Sequence, residues 1–306
     1  MNQLWIQDVE HYGYEKLTRN LARLAQTYPF LHISSIGKSV LGHYLYVICV
    51  SLERQYGNIE HSGHWNGAFH ANEWITTPLL MKTVEDIAMS ISSGRLFRGR
   101  DMRTLLAHKS IWIVPMVNPD GVELVLNGVT PKHPFAQELN VWNGGSRDFS
   151  QWKANIRGVD LNDQFPAYWN EEVARRQVHK PCGRDYPGRA PLTEPEAQAM
   201  ATFTLCQPFS LVISLHTQGK EIYWNYREME PPSSSVMADH IARSCGYRAV
   251  KLTESDAGFK DWFIQEFRKP GFTVEAGIGV NPLSVDKFTQ MYEEISELLL
   301  VSIEIM

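Results

Sequence analysis

The sequence predicts a single α/β domain built on a mixed sheet with helices on both faces. Three observations carry that reading. A chain of 306 residues lies within the range of one large α/β domain. Short runs rich in aromatic and β-branched residues alternate with helix-like stretches from end to end. Neither internal repeats nor a flexible linker divides the chain, so one domain is expected over residues 1–306, with 1–13 as a short N-terminal extension.

The elements follow in order. From Tyr14 to Tyr28 a stripe of Leu17, Leu21 and Leu24 predicts a helix, ended by Pro29. Strands are expected at "LHISSIG", "YLYVICVS" and "WNGAFHA", with a helix over Glu73 to Ile91 after the third. "SIWIVPMVNPDG" predicts a strand closed by a turn at Asn118-Pro119-Asp120-Gly121. The stretch from Val122 to Leu192 has little periodicity and much Asn, Gly, Pro, Trp and charge; segments of that kind commonly build binding sites. In "TEPEAQAMATFTL", Thr193 and Glu196 have the spacing of a capping box that opens a helix. Strands "LVISLHT", "EIYWNY" and "FTVEAG" come next, interleaved with helices near 233–244 and 260–267 and a last helix after Asn281.

Bulk properties narrow the function. The net charge is −5 and no basic stripe is visible, which speaks against nucleic acid as a partner. No segment has the length and apolarity of a membrane span, and the first residues, "MNQLWIQDVEHYGYEKL", lack the pattern of a secretory leader; a cytoplasmic location is expected. Cys49, Cys182, Cys206 and Cys245 are scattered without CxxC spacing, so sulfur ligation of a metal is not expected.

Open α/β sheets present ligands at strand ends, and three polar strand ends stand out. His70 ends "WNGAFH" with Glu73 three residues on, His216 ends "LVISLH", and Glu275 follows "FTV". Two imidazoles and a carboxylate form a donor set suited to one zinc ion with a fourth position for water. His70, Glu73 and His216 are the expected ligands, with Glu275 as general base. His61 and His64 in "HSGHW" are a rival pair of the same spacing, ranked lower because they are expected in a loop leading to the strand.

Taken together and in order, "FHANEW", "GVDLN", "ISLHTQG" and "FTVEAG" resemble the zinc carboxypeptidases, from about Tyr14 to the C-terminus. The resemblance implies a mixed sheet of about eight strands between helices and hydrolysis of a peptide or amide bond. Zinc polarises the carbonyl while Glu275 takes a proton from water and passes it to the departing amine. It also implies that Asp160 of "GVDLN" fixes a ligand imidazole. Family members place an arginine for the oxyanion shortly before this motif; in "WKANIRGVDLN" that position falls on Lys153, with Arg157 as the competing candidate.

Two departures bear on the substrate. Carboxypeptidases of the family carry Asn-Arg where this chain has Asn162-Asp163, so the charge that clamps a terminal carboxylate is reversed. Lys260 falls where they hold the residue at the base of the specificity pocket, and the tyrosine they place before the "DW" is absent from "ESDAGFKDWF". An anion and a cation in one pocket suit the zwitterionic side chain of meso-diaminopimelate, with Asp163 expected to take the ammonium and Lys260 the carboxylate. "WKANIRGVDLN", "FPA" and "GFKDWFIQEFRKPGFTVEAG" are similar to the bacterial γ-D-glutamyl-L-diamino acid endopeptidases, which implies cleavage between γ-D-glutamate and diaminopimelate in cell-wall peptides. No wall-binding LysM repeat fits before Tyr14, so action on muropeptides within the cell is expected. Tyr226 and Arg227 are candidates for binding substrate, whereas Tyr223 and Trp224 are expected to pack the sheet. The rival readings are a conventional metallocarboxypeptidase, a zinc amidohydrolase of N-acyl amino acids, and a non-catalytic muropeptide-binding protein.

Overall fold

The leucine stripe at the N-terminus forms helix α1 (Tyr14–Thr27), which buries Leu17, Leu21 and Leu24 and ends as the Tyr28 N–H donates to the Leu24 carbonyl. In the computed structural model, residue 6 and residues 8–52 and 60–306 are described; residues 1–5 and 7 of the expected extension lie outside them. The sheet comprises β1 (Leu31–Lys38), β2 (Tyr44–Ser51), β3 (His61–Gly67), β4 (Lys109–Val114), β5 (Leu211–His216), β6 (Glu221–Tyr223), β7 (Arg248–Val250) and β8 (Gly271–Glu275). The remaining helices are α2 (Thr76–Ser93), α3 (Met102–Leu105), α4 (Pro119–Asn127), α5 (Ala136–Trp142), α6 (Trp169–Arg176), α7 (Pro195–Leu205), α8 (Ser233–Cys245), α9 (Phe259–Phe267) and α10 (Phe288–Glu304).

Among the described residues the sheet has eight strands in the order β1-β2-β4-β3-β5-β8-β6-β7. Its centre, β4-β3-β5-β8, is parallel, and antiparallel pairs join β2 to β4, β1 to β2 and β6 to β8. Parallel central strands need cover on both faces, and alternation along β5 supplies it. Leu211, Ile213 and Leu215 face a core shared with α1, α2, α8 and α10, whereas Val212 faces a second core shared with α7 and α9. The chain leaves β3 for β4 on one side and later returns as β5 on the other, which opens a crevice at the carboxyl ends of β3, β5 and β8.

Several local expectations are corrected. β3 begins at His61 and ends at Gly67, so "HSGHW" is strand rather than loop and His70 lies beyond the strand end. Glu73 sits in a 3₁₀ turn (Ala71–Glu73), and α2 starts only at Thr76. Asn118-Pro119-Asp120-Gly121 opens α4: the Asn118 side chain accepts from the Gly121 N–H, and Pro119, which needs no donor there, stands at the helix start. The Thr193–Glu196 capping box does not form. Gln164 Oε1 takes the Thr193 N–H and hydroxyl, Glu194 is the cap residue, and Glu196 instead accepts from the Val40 N–H. The aperiodic stretch contains α5 and α6, and β6 covers only the first half of "EIYWNY".

Candidate metal centre and active site

A short turn delivers the first two polar groups. After β3 the chain bends at Ala68, with φ 52°, and the turn is bolted to its neighbours by the backbone. The Asn118 N–H donates to the Ala68 carbonyl, Asn118 Nδ2 to that of Phe69, and the Ala71 N–H to that of Lys153. In a 3₁₀ turn, side chains three apart lie nearly one above the other, so His70 and Glu73 are brought together. His216 ends β5, and Glu275 ends β8 directly beside it in register.

Three ligand atoms converge. His70 Nδ1 is 2.9 Å from Glu73 Oε1, His216 Nδ1 is 3.0 Å from Glu73 Oε2, and the two Nδ1 atoms are 3.1 Å apart. The three residues are buried and, among the described residues, form a cluster that could hold a metal ion. A tetrahedral zinc ion with arms of about 2.0–2.1 Å sets its ligand atoms roughly 3.3 Å apart, so the cluster fits such an ion with little adjustment. The Thr217 N–H donates to Glu73 Oε2 at 3.2 Å and Asn281 Nδ2 to Oε1 at 3.4 Å, which orients the carboxylate. Behind His70, Nε2 lies 3.2 Å from Asp160 Oδ1, and the other Asp160 oxygen is 2.9 Å from Lys153 Nζ.

The electrostatics follow from burial set against these neighbours. Burial opposes charge on His70, but Glu73 and Asp160 outweigh it and raise its pKa to about 9. Burial pushes Glu73 up, yet both imidazoles hold it down at about 2. Burial lowers the pKa of His216, partly offset by Glu73. Asp160, despite burial, is held well below the usual carboxylate range by Lys153 and His70. Glu275 moves the other way: burial, then the Glu73 carboxylate, raise its pKa to about 8.

The remaining predicted residues scatter around this centre. Lys153 is held between Asp160 and Asp185 behind His70, while Arg157 lies 3.6 Å from Glu194. Asn162 Oδ1 accepts from the Phe259 N–H at 3.3 Å. Asp163, the carboxylate expected to take the ammonium, is buried in a two-point pair with Arg176 at 2.8 and 3.0 Å. Lys260, expected at the pocket base, is also buried; its Nζ donates to the Asn225 carbonyl at 2.7 Å and pairs with Asp261. The Tyr226 hydroxyl donates to Asp256 at 2.8 Å, and Arg227 pairs with the same carboxylate. Tyr226 packs in the second core and Trp224 against the first. Asn118, Asn281 and Arg176 escape sequence reasoning: each acts on a partner distant in the chain, and only the Asn-Pro helix start at Asn118 left a local signal.

An α/β sheet with a His-Glu-His cluster at the carboxyl ends of its parallel strands, and a carboxylate of raised pKa beside it, defines a metallohydrolase. Residues 17–277 match the zinc carboxypeptidase family, and the chain belongs to that family of metallopeptidases. It is 45% identical over 285 residues to γ-D-glutamyl-L-diamino acid endopeptidase 1 of Lysinibacillus sphaericus, covering 93% of this chain and 70% of that protein. It is 38% identical over 301 residues to the uncharacterized protein YqgT of Bacillus subtilis strain 168, covering 98% and 79%. The fold matches bovine thrombin-activatable fibrinolysis inhibitor, solved with tick carboxypeptidase inhibitor, with a TM-score of 0.73 at 18% identity over 97% of each chain. Among the described residues no helix is long and apolar enough to cross a membrane.

Proposed function

We propose that the chain, acting as one catalytic domain, hydrolyses the γ-D-glutamyl–meso-diaminopimelate bond of bacterial cell-wall peptides. The observation that carries the substrate is the 45% identity, over 93% of this chain, to the L. sphaericus endopeptidase. The convergence of three ligand atoms supports the chemistry. In this reading His70 and His216 through Nδ1, and Glu73 through its carboxylate, hold one zinc ion. When bound, that ion supplies a Lewis acid for the scissile carbonyl and makes a neighbouring water more acidic.

The protein's own groups do the rest. In this reading Glu275, which ends β8 in register with His216, takes a proton from water and gives it to the departing amine. Asp160 keeps the proton of His70 on Nε2, leaving Nδ1 for the metal. Lys153 places a positive charge beside the centre for the developing oxyanion, and Arg157 is not assigned that role. Asn162, Tyr226 and Lys260 are assigned to the walls of the substrate pocket; Asp163 no longer receives the ammonium.

The pairing of Asp163 with Arg176 keeps a second reading open, because the reversed charge is neutralised and does not by itself repel a terminal carboxylate. That reading is a conventional carboxypeptidase. The two are separated by following L-alanyl-γ-D-glutamyl-meso-diaminopimelate and an ordinary peptide by mass spectrometry, with and without chelator. Chelator-sensitive release of diaminopimelate, with the ordinary peptide intact, is the expected result; trimming of the ordinary peptide alone would replace the proposal with the second reading.

A further inference from the structure

We infer that Arg176, at the end of α6, forms a seat for a free carboxylate of the substrate, and that Asp185 fills this seat in the uncomplexed enzyme. The inference rests on the peptidase reading above and names the feature of the substrate that Arg176 recognises.

The guanidinium is committed on one side only. Its Nε lies 2.8 Å from Asp163 Oδ2 and 2.7 Å from Glu172 Oε1, and Nη2 donates to Asp163 Oδ1 at 3.0 Å. The third nitrogen, Nη1, makes no hydrogen bond among the described residues and has Asp185 Oδ1 at 3.6 Å, beyond hydrogen-bond reach. The same Asp185 oxygen is 3.3 Å from Lys153 Nζ. Two cations therefore share one loosely held carboxylate oxygen. Asp185 is also the accessible member of the group: its side chain is 32% exposed, against 3% for Asp163 and 0% for Asp160. Its backbone sits at φ 63°, a left-handed conformation that a non-glycine residue holds only when its surroundings favour it.

The position relates the seat to the reaction. Lys153 and Arg176 both act electrostatically on Asp160, which lies against His70. A substrate carboxylate reaching Arg176 can take two N–H groups in the planar arrangement that guanidinium favours, where Asp185 offers one distant oxygen. Its arrival displaces Asp185 and leaves Lys153 held by Asp160 alone, with donors returned to the reacting carbonyl. The anchoring cation that the Asn162-Asp163 sequence lacks is thus supplied by a different helix, with Asp163 as its support. The group it fits is the α-carboxylate of a diamino acid that ends the peptide.

The test compares zinc-loaded wild type, Asp185→Asn and Arg176→Lys on the tripeptide with a free or an amidated diaminopimelate α-carboxyl. Wild type should favour the free acid through KM. Asp185→Asn, a change at a partly exposed residue, should lower KM for the free acid several-fold and change KM for the amide less, so that the acid-to-amide preference widens. Arg176→Lys should raise KM for the free acid by about tenfold or more and shrink the acid-to-amide preference, with thermal unfolding reporting its fold. Calorimetric titration of free meso-diaminopimelate and its α-amide reads the same preference without turnover. Absence of cleavage by wild type would count against the peptidase reading and leave the seat to be judged by calorimetry. An acid-to-amide preference equal in all three proteins would overturn the seat, as would a higher KM for the free acid in Asp185→Asn.

Discussion

Two pairs of residues three apart lie within ten positions of each other, and their fates differ. His61 and His64 are on β3, where successive side chains alternate faces, so an odd separation sends them to opposite sides of the sheet. His61 is exposed, whereas His64 is fully buried against Phe203, Phe209 and Phe259, with Nδ1 3.1 Å from the Trp112 carbonyl and Nε2 accepting from Asn66 Nδ2 at 3.2 Å. Burial holds its pKa down to about 3, so it is a neutral core residue with both ring nitrogens engaged. His70 and Glu73 follow the same strand but bracket a 3₁₀ turn, His70 as its cap and Glu73 as its last residue, and there the same separation brings the side chains together. Spacing alone therefore does not make a metal site; the backbone conformation beneath it decides.

The largest effects should come from the turn and its partners. Glu275→Gln should lower kcat by about three orders of magnitude while zinc content, measured by mass spectrometry, stays at the wild-type value. His216→Ala or Glu73→Ala should lose both zinc and activity, whereas His64→Phe should keep the zinc; a His64→Phe protein free of metal would break the contrast between the two pairs. Asp160→Asn should weaken zinc affinity by about 10–100-fold in competition with a chromophoric chelator, because the imidazole loses the group that fixes its proton.

The last predicted effect belongs to His64 and appears in acid. Its pKa is lowered on folding from 6.5 to about 3, so its contribution to stability is present above pH 6.5 and is lost as pH falls toward 3. The slope from this one group is at most about 1.4 kcal/mol per pH unit. His64→Phe should therefore lose less stability than wild type between pH 6.5 and 4 in denaturant unfolding, even though it is less stable at pH 7 by about 1–3 kcal/mol because the buried Asn66 amide loses its acceptor. Parallel acid limbs for the two proteins would contradict this.

Much of the centre was legible because its chemistry sits at strand ends. An apolar strand that stops at a histidine or a glutamate is a local signal, and His216 and Glu275 carried it directly. His70 and Glu73 were found through the same signal, although the strand ends earlier and the turn that joins them is not visible in a period-two pattern. Charge pairing was not legible. Asp163 and Lys260 read as free charges because Arg176 and Asn225 reach them only through the folded chain, and a lone charge in sequence carries no sign of its partner. The Thr193–Glu196 spacing misled for a similar reason: Gln164, remote in sequence, takes the hydroxyl that a capping box requires.

A crystal structure of the zinc-loaded protein, with the ion located by its anomalous signal, tests the assignment of the His70, Glu73 and His216 cluster as the metal site most directly. One ion is expected within about 2.0–2.1 Å of Nδ1 of both His70 and His216, with Glu73 as the third ligand and His70 Nε2 facing Asp160. An ion bound through Nε2 with Asp160 among its ligands, or one on His61 and His64, would contradict it.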